Sequence, residues 1–175
     1  NLLSLWCTCS QVYLMDLLIV SWNNLPYLQR CVETAVMSSD GCVNIYVHLN
    51  EGTDGSLEYC QEEDIPYTHT PDNIGLPLAV QYLEELSSDS KYPSDDLFLV
   101  DDDIYFIEGW DREFYEFRKK NKIPQHYLLC PTMIEPYGQN PLTISPWTQF
   151  RDPQFVNHTD LLKAVKTNDL RFARP

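Results

Sequence analysis

The sequence predicts a single α/β domain whose mostly parallel, Rossmann-like sheet is flanked by helices. Three observations lead to this prediction. Short apolar runs, typical of buried strands, alternate with stretches in which apolar residues recur at helical spacing. Clusters of Gly, Pro, Asn and Asp separate these segments. The chain has 175 residues and is 43% hydrophobic, which is enough for one core and hardly for two.

The predicted strands are apolar runs bounded by turn-forming residues. In chain order they are residues 16–21, 43–49, 66–70, 97–100 and 127–130. Strands that alternate with helices are joined by right-handed crossovers, so their carboxyl ends meet at one edge of the sheet. Folds of this kind bind ligands at that edge, and the loops that follow the strands are therefore the first candidates for a site.

The predicted helices present apolar faces at helical spacing. Asn23 and Asn24 are placed to cap the first helix, and Pro26 suits its first turn. Basic residues at 118–120 end the fourth helix, a favourable place for cations. Two shorter helices are predicted at 56–63 and 159–167. The apolar faces consist of Leu25, Leu28, Val32, Ala35 and Val36 in the first helix, Leu76, Ala79, Val80 and Leu83 in the third, and Trp110, Phe114 and Phe117 in the fourth.

The alternating pattern occupies only part of the chain. Residues 1–14 form an apolar, poorly specified extension that lacks the basic start and the cleavage site of a signal peptide. Residues 15–136 carry the strands and helices and are the predicted domain. Residues 137–175 are irregular and Pro-rich, and we expect them to begin a separate region.

Composition restricts the partners and the compartment. The chain has 12 basic and 26 acidic residues, a net charge of −14, which disfavours general binding to nucleic acids or anionic membranes. No apolar run reaches the length of a transmembrane helix. None of the 6 cysteines forms a Cys-x-x-Cys pair, and most lie in apolar segments. We therefore expect free thiols in a reducing compartment and a cytoplasmic location.

Asp101, Asp102 and Asp103 directly follow the fourth strand and are the sharpest chemical feature. Alternate residues of a strand point to the same side, so Asp101 and Asp103 share a side. Two like charges held close together repel, and a divalent cation relieves the repulsion. Mg²⁺ takes one or two carboxylates and completes its shell with phosphates and water. The triplet therefore predicts a site for a metal-bound diphosphate, with a solvated acidic turn as the alternative.

Three other loops at the same edge carry polar or aromatic side chains. Trp22, in the loop 21–24, is placed either to stack on a nucleobase or to pack in the core beside an ordinary helix cap. The Gly-rich turn 49–55 and the segment from Asn73 to Gly75 precede helices whose N–H groups can bind a phosphate, although simple connections have the same composition. The histidines at 48, 69, 126 and 158 form no ligand-spaced cluster, so structural or surface roles are predicted.

The order of these segments resembles the family 2 glycosyltransferases of the GT-A fold. The resemblance covers residues 16–136. Four of the family's motifs are matched in order: a Thr/Ser-aromatic-Asn turn by Ser21, Trp22 and Asn23, a Gly-rich acidic stretch by His48 to Ser56, an Asn-x-Gly-x-x-x-Ala pattern by Asn73, Gly75 and Ala79, and an Asp-x-Asp strand end with a later Gly-Trp by Asp101, Asp103, Gly109 and Trp110.

The resemblance implies transfer of a sugar, with inversion, from a nucleotide-diphosphate sugar to a glycan, lipid or protein acceptor. It implies that Trp22 packs on the base, that Asp101 contacts the ribose, and that Asp101 and Asp103 hold Mn²⁺ or Mg²⁺ on the diphosphate. The donor-binding residues implied in this way are Ser21, Trp22, Asn23, Asn50, Glu51, Asp54, Asn73, Gly75, Asp101 and Asp102.

The chain departs from the family at two places. The family commonly has an Asp at the end of its second strand that recognises the base, and Leu49 occupies that position, with Asn50 or Glu51 as substitutes. An inverting transferase also needs a general base. The family's acidic motif would fall near or beyond Pro175, which leaves Glu135 as the candidate within the chain.

Two alternatives to a complete transferase remain open. One is a catalytically incomplete fragment, the donor-binding half, that binds nucleotide-sugar and metal. The other is a sugar-nucleotide pyrophosphorylase, which has a Gly-rich loop with a basic residue after its first strand. Residues 21–28 contain no Gly, Lys or Arg, so the sequence disfavours this second alternative.

Overall fold

The structure is a computed structural model that describes residues 14–91, 94 and 96–123, and the backbone of 133–134 and 143–144. The predicted strand at 127–130, the predicted helix at 159–167, Glu135 and all but the last residue of the N-terminal extension lie outside the described residues. The chain divides into two compact units, Asn1–Asn121 and Lys122–Pro175. The expected boundary after residue 136 stays a prediction.

The first unit alternates strands and helices as predicted. The strands are β1 (Leu14–Trp22), β2 (Cys42–Asn50), β3 (Tyr67–Thr70) and β4 (Leu97–Asp101). The helices are α1 (Leu25–Met37), α2 (Ser56–Glu62), α3 (Leu76–Ser88) and α4 (Trp110–Asn121). In the second unit the described backbone forms a short parallel pair, β5 (Met133–Ile134) and β6 (Thr143–Ile144).

The main sheet is entirely parallel, in the order β3-β2-β1-β4. Along the chain, β2 and β3 are added in turn on one side of β1, and after α3 the next strand, β4, is added on the other side of β1. The order in which strands are added therefore reverses between β1 and β4. In open α/β sheets a crevice forms outside the carboxyl ends of the strands at this reversal. The predicted fold class is confirmed, and its topology marks the gap between β1 and β4.

Both faces of the sheet are covered, because the central strands carry apolar side chains on both faces. On one face Leu17 and Ile19 of β1 pack in a core with Leu28 of α1 and Trp110 of α4. On the other face Leu18 of β1 meets residues of β2 and α3 in a smaller core. Such doubly buried strands account for the continuous apolar runs in the sequence.

The segment between β4 and α4 is fixed to the end of α1. The amide of Gly109 donates to the carbonyl oxygen of Ser38 at 2.7 Å. Gly109 has a φ of 76°, a conformation that glycine adopts without strain. The buried carboxylate of Asp111 accepts hydrogen bonds from the Ser39 hydroxyl and from the amide of Gly41. The contacts and the φ of Gly109 explain the glycine that follows the acidic triplet.

Two details of burial differ from the prediction. Leu97 and Leu99 of β4 are 47% and 46% exposed, so β4 is not the fully buried strand expected. β4 is an edge strand of the described sheet, and α3 packs chiefly against the other three strands. Leu76 is exposed because it begins α3 beyond the end of the sheet, whereas Ala79 and Leu83 of the predicted face are buried.

The cysteines require a correction. Cys31 and Cys60 are buried free thiols, as expected of cysteines in apolar segments. Cys42, however, is disulfide-bonded, with its partner outside the described residues. Cys42 is only half-buried because it begins β2 at the rim of the sheet, so the argument from a buried apolar environment does not hold there. The expectation of free thiols is therefore wrong for Cys42, and the expected cytoplasmic location stays a prediction.

No described helix is both long enough and apolar enough to span a bilayer.

We expect His48 to make the stability of the domain depend on pH. Its imidazole is buried, stacks on Tyr82 with 5.8 Å between ring centroids, and lies 2.7 Å from the Thr68 hydroxyl. Burial lowers the pKa of His48 and His69 lowers it further, against a hydrogen bond with Asn50 that raises it. The pKa of His48 is then lower in the folded than in the unfolded chain, so unfolding takes up a proton at acid pH. The free energy of unfolding should fall as the pH drops below the ordinary value of 6.5.

Urea denaturation at a series of pH values measures this dependence. His48→Gln should flatten the acid slope. Thr68→Val is the matched control, since it removes the hydroxyl but keeps the titrating imidazole, and it should retain the slope. An unchanged slope in His48→Gln would assign the effect to other groups.

Candidate functional site

The candidate site lies at the carboxyl ends of β1 and β4. Val20 of β1 is paired with Asp101 of β4, so the residues that follow both strands emerge side by side. On the other side of β1, Trp22 is paired with Asn50, the last residue of β2. The sheet register therefore brings together the loops that follow β1, β2 and β4. The loop before α3 is joined to them by a hydrogen bond between Ile74 and Asn50.

A buried carboxylate joins the first loop to the acidic triplet. Asp102 is 8% exposed, and its Oδ2 accepts a hydrogen bond of 2.6 Å from the hydroxyl of Ser21. Its Oδ1 accepts a second hydrogen bond, of 2.9 Å, from Nδ2 of Asn24. Burial raises the pKa of Asp102, the two hydrogen bonds oppose this, and the neighbouring carboxylates of Asp103 and Asp101 add to the rise. Ser21 and Asp102 were both predicted to bind a donor, and here they bind each other.

The other two carboxylates of the triplet face outward. Asp101 and Asp103 are both exposed. Partial burial raises the pKa of Asp101, and the negative charge of Asp103 raises it further. Within the part of the chain that the structure describes, no group of three or more His, Cys, Asp or Glu side chains is arranged to hold a metal ion. The donor set fits a cation that arrives with phosphate oxygens and water, and not one held by protein alone.

Trp22 is a surface residue. Its side chain is 57% exposed, so it is not the core tryptophan that the sequence allowed as an alternative. The neighbouring Asn23 has a φ of 48° and links two loops: its Nδ2 donates to Oε2 of Glu51 at 2.9 Å, and its Oδ1 accepts from the amide of Thr53 at 2.8 Å. The residue that follows Trp22 therefore fixes the Glu51 carboxylate to the first loop.

The second loop assigns different roles to three successive residues. Leu49 is 1% exposed and belongs to the core, so it does not face a ligand. Asn50 is 2% exposed, and its Oδ1 accepts a hydrogen bond of 2.9 Å from the amide of Ile74. Glu51 has a φ of 65° and is only half-buried. Of the two substitutes for the family's base-recognising Asp, Glu51 is the one that reaches the surface.

The third loop is held in shape by its own side chain. Oδ1 of Asn73 accepts a hydrogen bond of 2.9 Å from the amide of Gly75. Gly75 has a φ of 77° and a ψ of 164°, a conformation open essentially only to glycine. With Asn50 bound to Ile74, this loop is tied to the end of β2 and begins α3.

Asp54 serves as a cap for two helices. Its Oδ2 accepts a hydrogen bond of 2.6 Å from the amide of Leu25, the first residue of α1. Its Oδ1 accepts from the amide and the hydroxyl of Ser56, which begins α2, at 3.1 and 2.6 Å. The prediction that the side chain of Asn23 or Asn24 caps α1 is wrong, since neither side chain makes that hydrogen bond. The side-chain amide of Asn24 binds Asp102, and Asp54, which lies 29 positions from Leu25, supplies the cap.

We expect Asp54→Ala to lower the free energy of unfolding by about 1–2 kcal/mol, the usual cost of a lost helix cap. Partial burial raises the pKa of Asp54, but the hydrogen bonds from Ser56 and Leu25 outweigh it and leave the pKa below its ordinary value. The stabilisation is therefore present above the ordinary pKa of 3.8 and is lost as the pH falls through the lower folded value. Urea unfolding near neutral pH measures the loss. Asp54→Asn keeps an acceptor oxygen and should lose less; an undiminished stability in Asp54→Ala would exclude the capping role.

A search of family models and a search of curated proteins both found no match to this chain. Among solved structures 23 chains match. One is S. aureus TarS, residues 1–349, with a TM-score of 0.50 and 13% sequence identity over 62% of this chain and 33% of that one. TarS is a glycosyltransferase with a GT-A-like fold. The fold of this chain is GT-A-like. At this identity the similarity shows the fold alone, and the chain spans 33% of the length of that structure.

Proposed function

We propose that this chain binds a nucleotide-diphosphate sugar together with Mg²⁺ or Mn²⁺, as the donor-binding part of an inverting glycosyltransferase. One observation carries the proposal. Asp101 ends β4, Asp103 follows it, and both are exposed; the exposed aromatic ring of Trp22 ends the neighbouring strand β1, at the point where the order of a GT-A-like sheet reverses. A solvated acidic turn would explain the carboxylates, but it would not explain an exposed tryptophan at the end of the adjacent strand.

Each side chain of the site has a role that its chemistry supports. The indole of Trp22 offers a flat surface for stacking on a base. The carboxylate of Glu51, held by Asn23, is the proposed acceptor for an N–H group at the edge of that base. Asp101 ends β4 and is assigned to the ribose and, with Asp103, to the cation. A bound divalent cation would stabilise the negative charge that develops on the departing nucleoside diphosphate.

The acceptor half of the reaction is not assigned by the described residues. Glu135 remains the candidate general base from sequence, and it lies outside them. For the acceptor we propose only its chemical class, which is a glycan, a lipid or a protein. The incomplete-fragment alternative shares the same donor chemistry, so the first experiment addresses that chemistry.

The test is calorimetric titration of the chain with UDP and with GDP, each with and without Mn²⁺. We expect at least one of them to bind about tenfold more tightly with Mn²⁺, which corresponds to about 1.4 kcal/mol. Asp103→Asn should abolish this difference. Asp89→Asn is the matched control for charge: Asp89 is exposed at the end of α3, towards the opposite edge of the sheet, and the variant should keep the metal dependence. Equal affinity with and without Mn²⁺ in the unmodified chain would reject the proposal.

A further inference from the structure

The middle residue of the acidic triplet is placed unlike its neighbours. Asp101 and Asp103 are exposed, whereas Asp102 is buried. Each of its carboxylate oxygens accepts a hydrogen bond from a side chain of the first loop, Ser21 or Asn24. A carboxylate used in this way points into the protein and away from the surface that a nucleotide would approach.

The two donors bracket the candidate stacking residue. Ser21 and Asn24 lie on either side of Trp22 and Asn23, so one carboxylate fixes both ends of this short arch. Asn23 has a left-handed φ of 48°, and such a conformation persists where surrounding contacts determine it. Asn23 ties the middle of the arch to the second loop, through Glu51 and Thr53, whereas Asp102 ties its two ends to the end of β4.

The strand register explains why Asp102, and not its neighbours, makes these contacts. Asp101 lies opposite Val20, whose side chain borders the smaller core under α3. Successive strand residues point to opposite faces, so Asp102 turns towards the other face, where Ser21 lies. On that face the Cys31 thiol of α1 lies 3.9 Å from the carbonyl oxygen of Asp101, so α1 contacts the end of β4.

We propose that Asp102 is a positioning residue that clamps the Trp22 arch to the metal-binding strand end and binds neither the cation nor the donor itself. This inference rests on the proposed function for the roles of Trp22, Asp101 and Asp103. Charge-assisted hydrogen bonds are stronger and more directional than neutral ones, which suits a buried clamp between two loops. Small displacements of groups that hold a substrate reduce its binding and reaction strongly.

Substitutions at position 102 separate a clamp from a metal ligand. Asp102→Ala removes both acceptors and should weaken UDP or GDP binding about tenfold, with Mn²⁺ and without it. Asp102→Asn keeps the shape: its oxygen can accept from Asn24, and the Ser21 hydroxyl can rotate to accept from the new amide. We expect Asp102→Asn to recover most of the affinity and to keep the Mn²⁺ dependence that Asp103→Asn loses.

A second pair of variants guards against misfolding. Ser21→Ala and Asn24→Ala each remove one clamp bond at a smaller structural cost, and each should weaken binding. Their effects should not add to that of Asp102→Ala, since all three variants break the same unit. Additive effects would contradict the clamp, and so would loss of the Mn²⁺ dependence in Asp102→Asn or unchanged affinity in Asp102→Ala.

Amide hydrogen exchange without nucleotide tests the clamp separately from the proposed function. Asp102→Ala should speed exchange at residues 21–24 and at 101–103 together, whereas Asp103→Asn should leave residues 21–24 unchanged. If the unmodified chain binds neither UDP nor GDP, the proposed function fails while the exchange result still decides the clamp. Exchange at residues 21–24 that is unaltered in Asp102→Ala would overturn it.

Discussion

Replacing Trp110 by alanine should lower the free energy of unfolding by about 3–5 kcal/mol, the usual cost of deleting a large buried aromatic ring. Trp110 is 7% exposed and begins α4. Its ring lies edge-on to Phe98 of β4, with 5.2 Å between centroids, and 4.4 Å from the ring of Phe106. Its indole N–H donates to the carbonyl oxygen of Ala35 at 3.2 Å. One side chain thus joins β4, α4 and the end of α1.

The loss has two parts that a second variant separates. Trp110→Ala removes the packing and leaves the Ala35 carbonyl without its indole donor. Trp110→Phe keeps much of the packing and loses the hydrogen bond with a smaller part of the ring, at a cost of about 1–3 kcal/mol. Guanidinium denaturation of both variants measures the difference. A loss below about 1 kcal/mol in Trp110→Ala would show that α4 contributes little to the fold.

The effect on binding should follow the effect on folding. Domains of this size are stable by only about 5–15 kcal/mol, so Trp110→Ala leaves a small margin. The variant should bind nucleotide in proportion to its folded fraction, because Trp110 lies in the core and not at the strand ends. Affinity per folded molecule is the quantity to compare.

Much of the fold could be predicted because its signals are local. The apolar runs and the turn residues of β1 and β2 are continuous in sequence, and the handedness of crossovers fixes how parallel strands are joined. This was enough to place Ser21 and Asp101 at one edge of one sheet. The register of β1 with β2 and β4 confirms that these strand ends meet, while the roles of the site residues stay predictions.

What could not be predicted depends on partners distant in sequence. A local capping rule assigned Asn24 to α1, but its amide binds the buried charge of Asp102, and Asp54 caps the helix from another loop. Leu97 and Leu99 are exposed because little of α3 covers their face of β4. The spacing of apolar residues in the sequence does not show which elements will cover a strand.

The departure at Leu49 has a structural explanation. β2 continues through Leu49 to Asn50, so the position that carries an Asp in the family is turned into the core. The chain leaves the strand only at Glu51, which adopts a left-handed φ of 65°. A carboxylate is thereby presented two residues later than in the family's pattern, which agrees with the proposed contact between Glu51 and the base.

Trp22→Ala should weaken nucleotide binding by about 1–3 kcal/mol, roughly 5- to 150-fold, as found for loss of an aromatic ring that stacks on a base. The same variant should change the free energy of unfolding by no more than about 0.5 kcal/mol, because Trp22 is 57% exposed. Trp22 and Trp110 therefore form a matched pair within one chain. One should control affinity at nearly constant stability, and the other stability at nearly constant affinity per folded molecule.

Titration calorimetry and urea unfolding of Trp22→Ala and Trp22→Phe complete the comparison. Trp22→Phe keeps a smaller ring and should recover part of the affinity, whereas a merely structural surface residue would show no such recovery. A marked fall in stability with unchanged affinity would assign Trp22 to packing and leave Asp101 and Asp103 without an aromatic partner. In that case the acidic triplet would bind a cation or phosphate with no selection for a base, and tripolyphosphate would compete with UDP and GDP equally well.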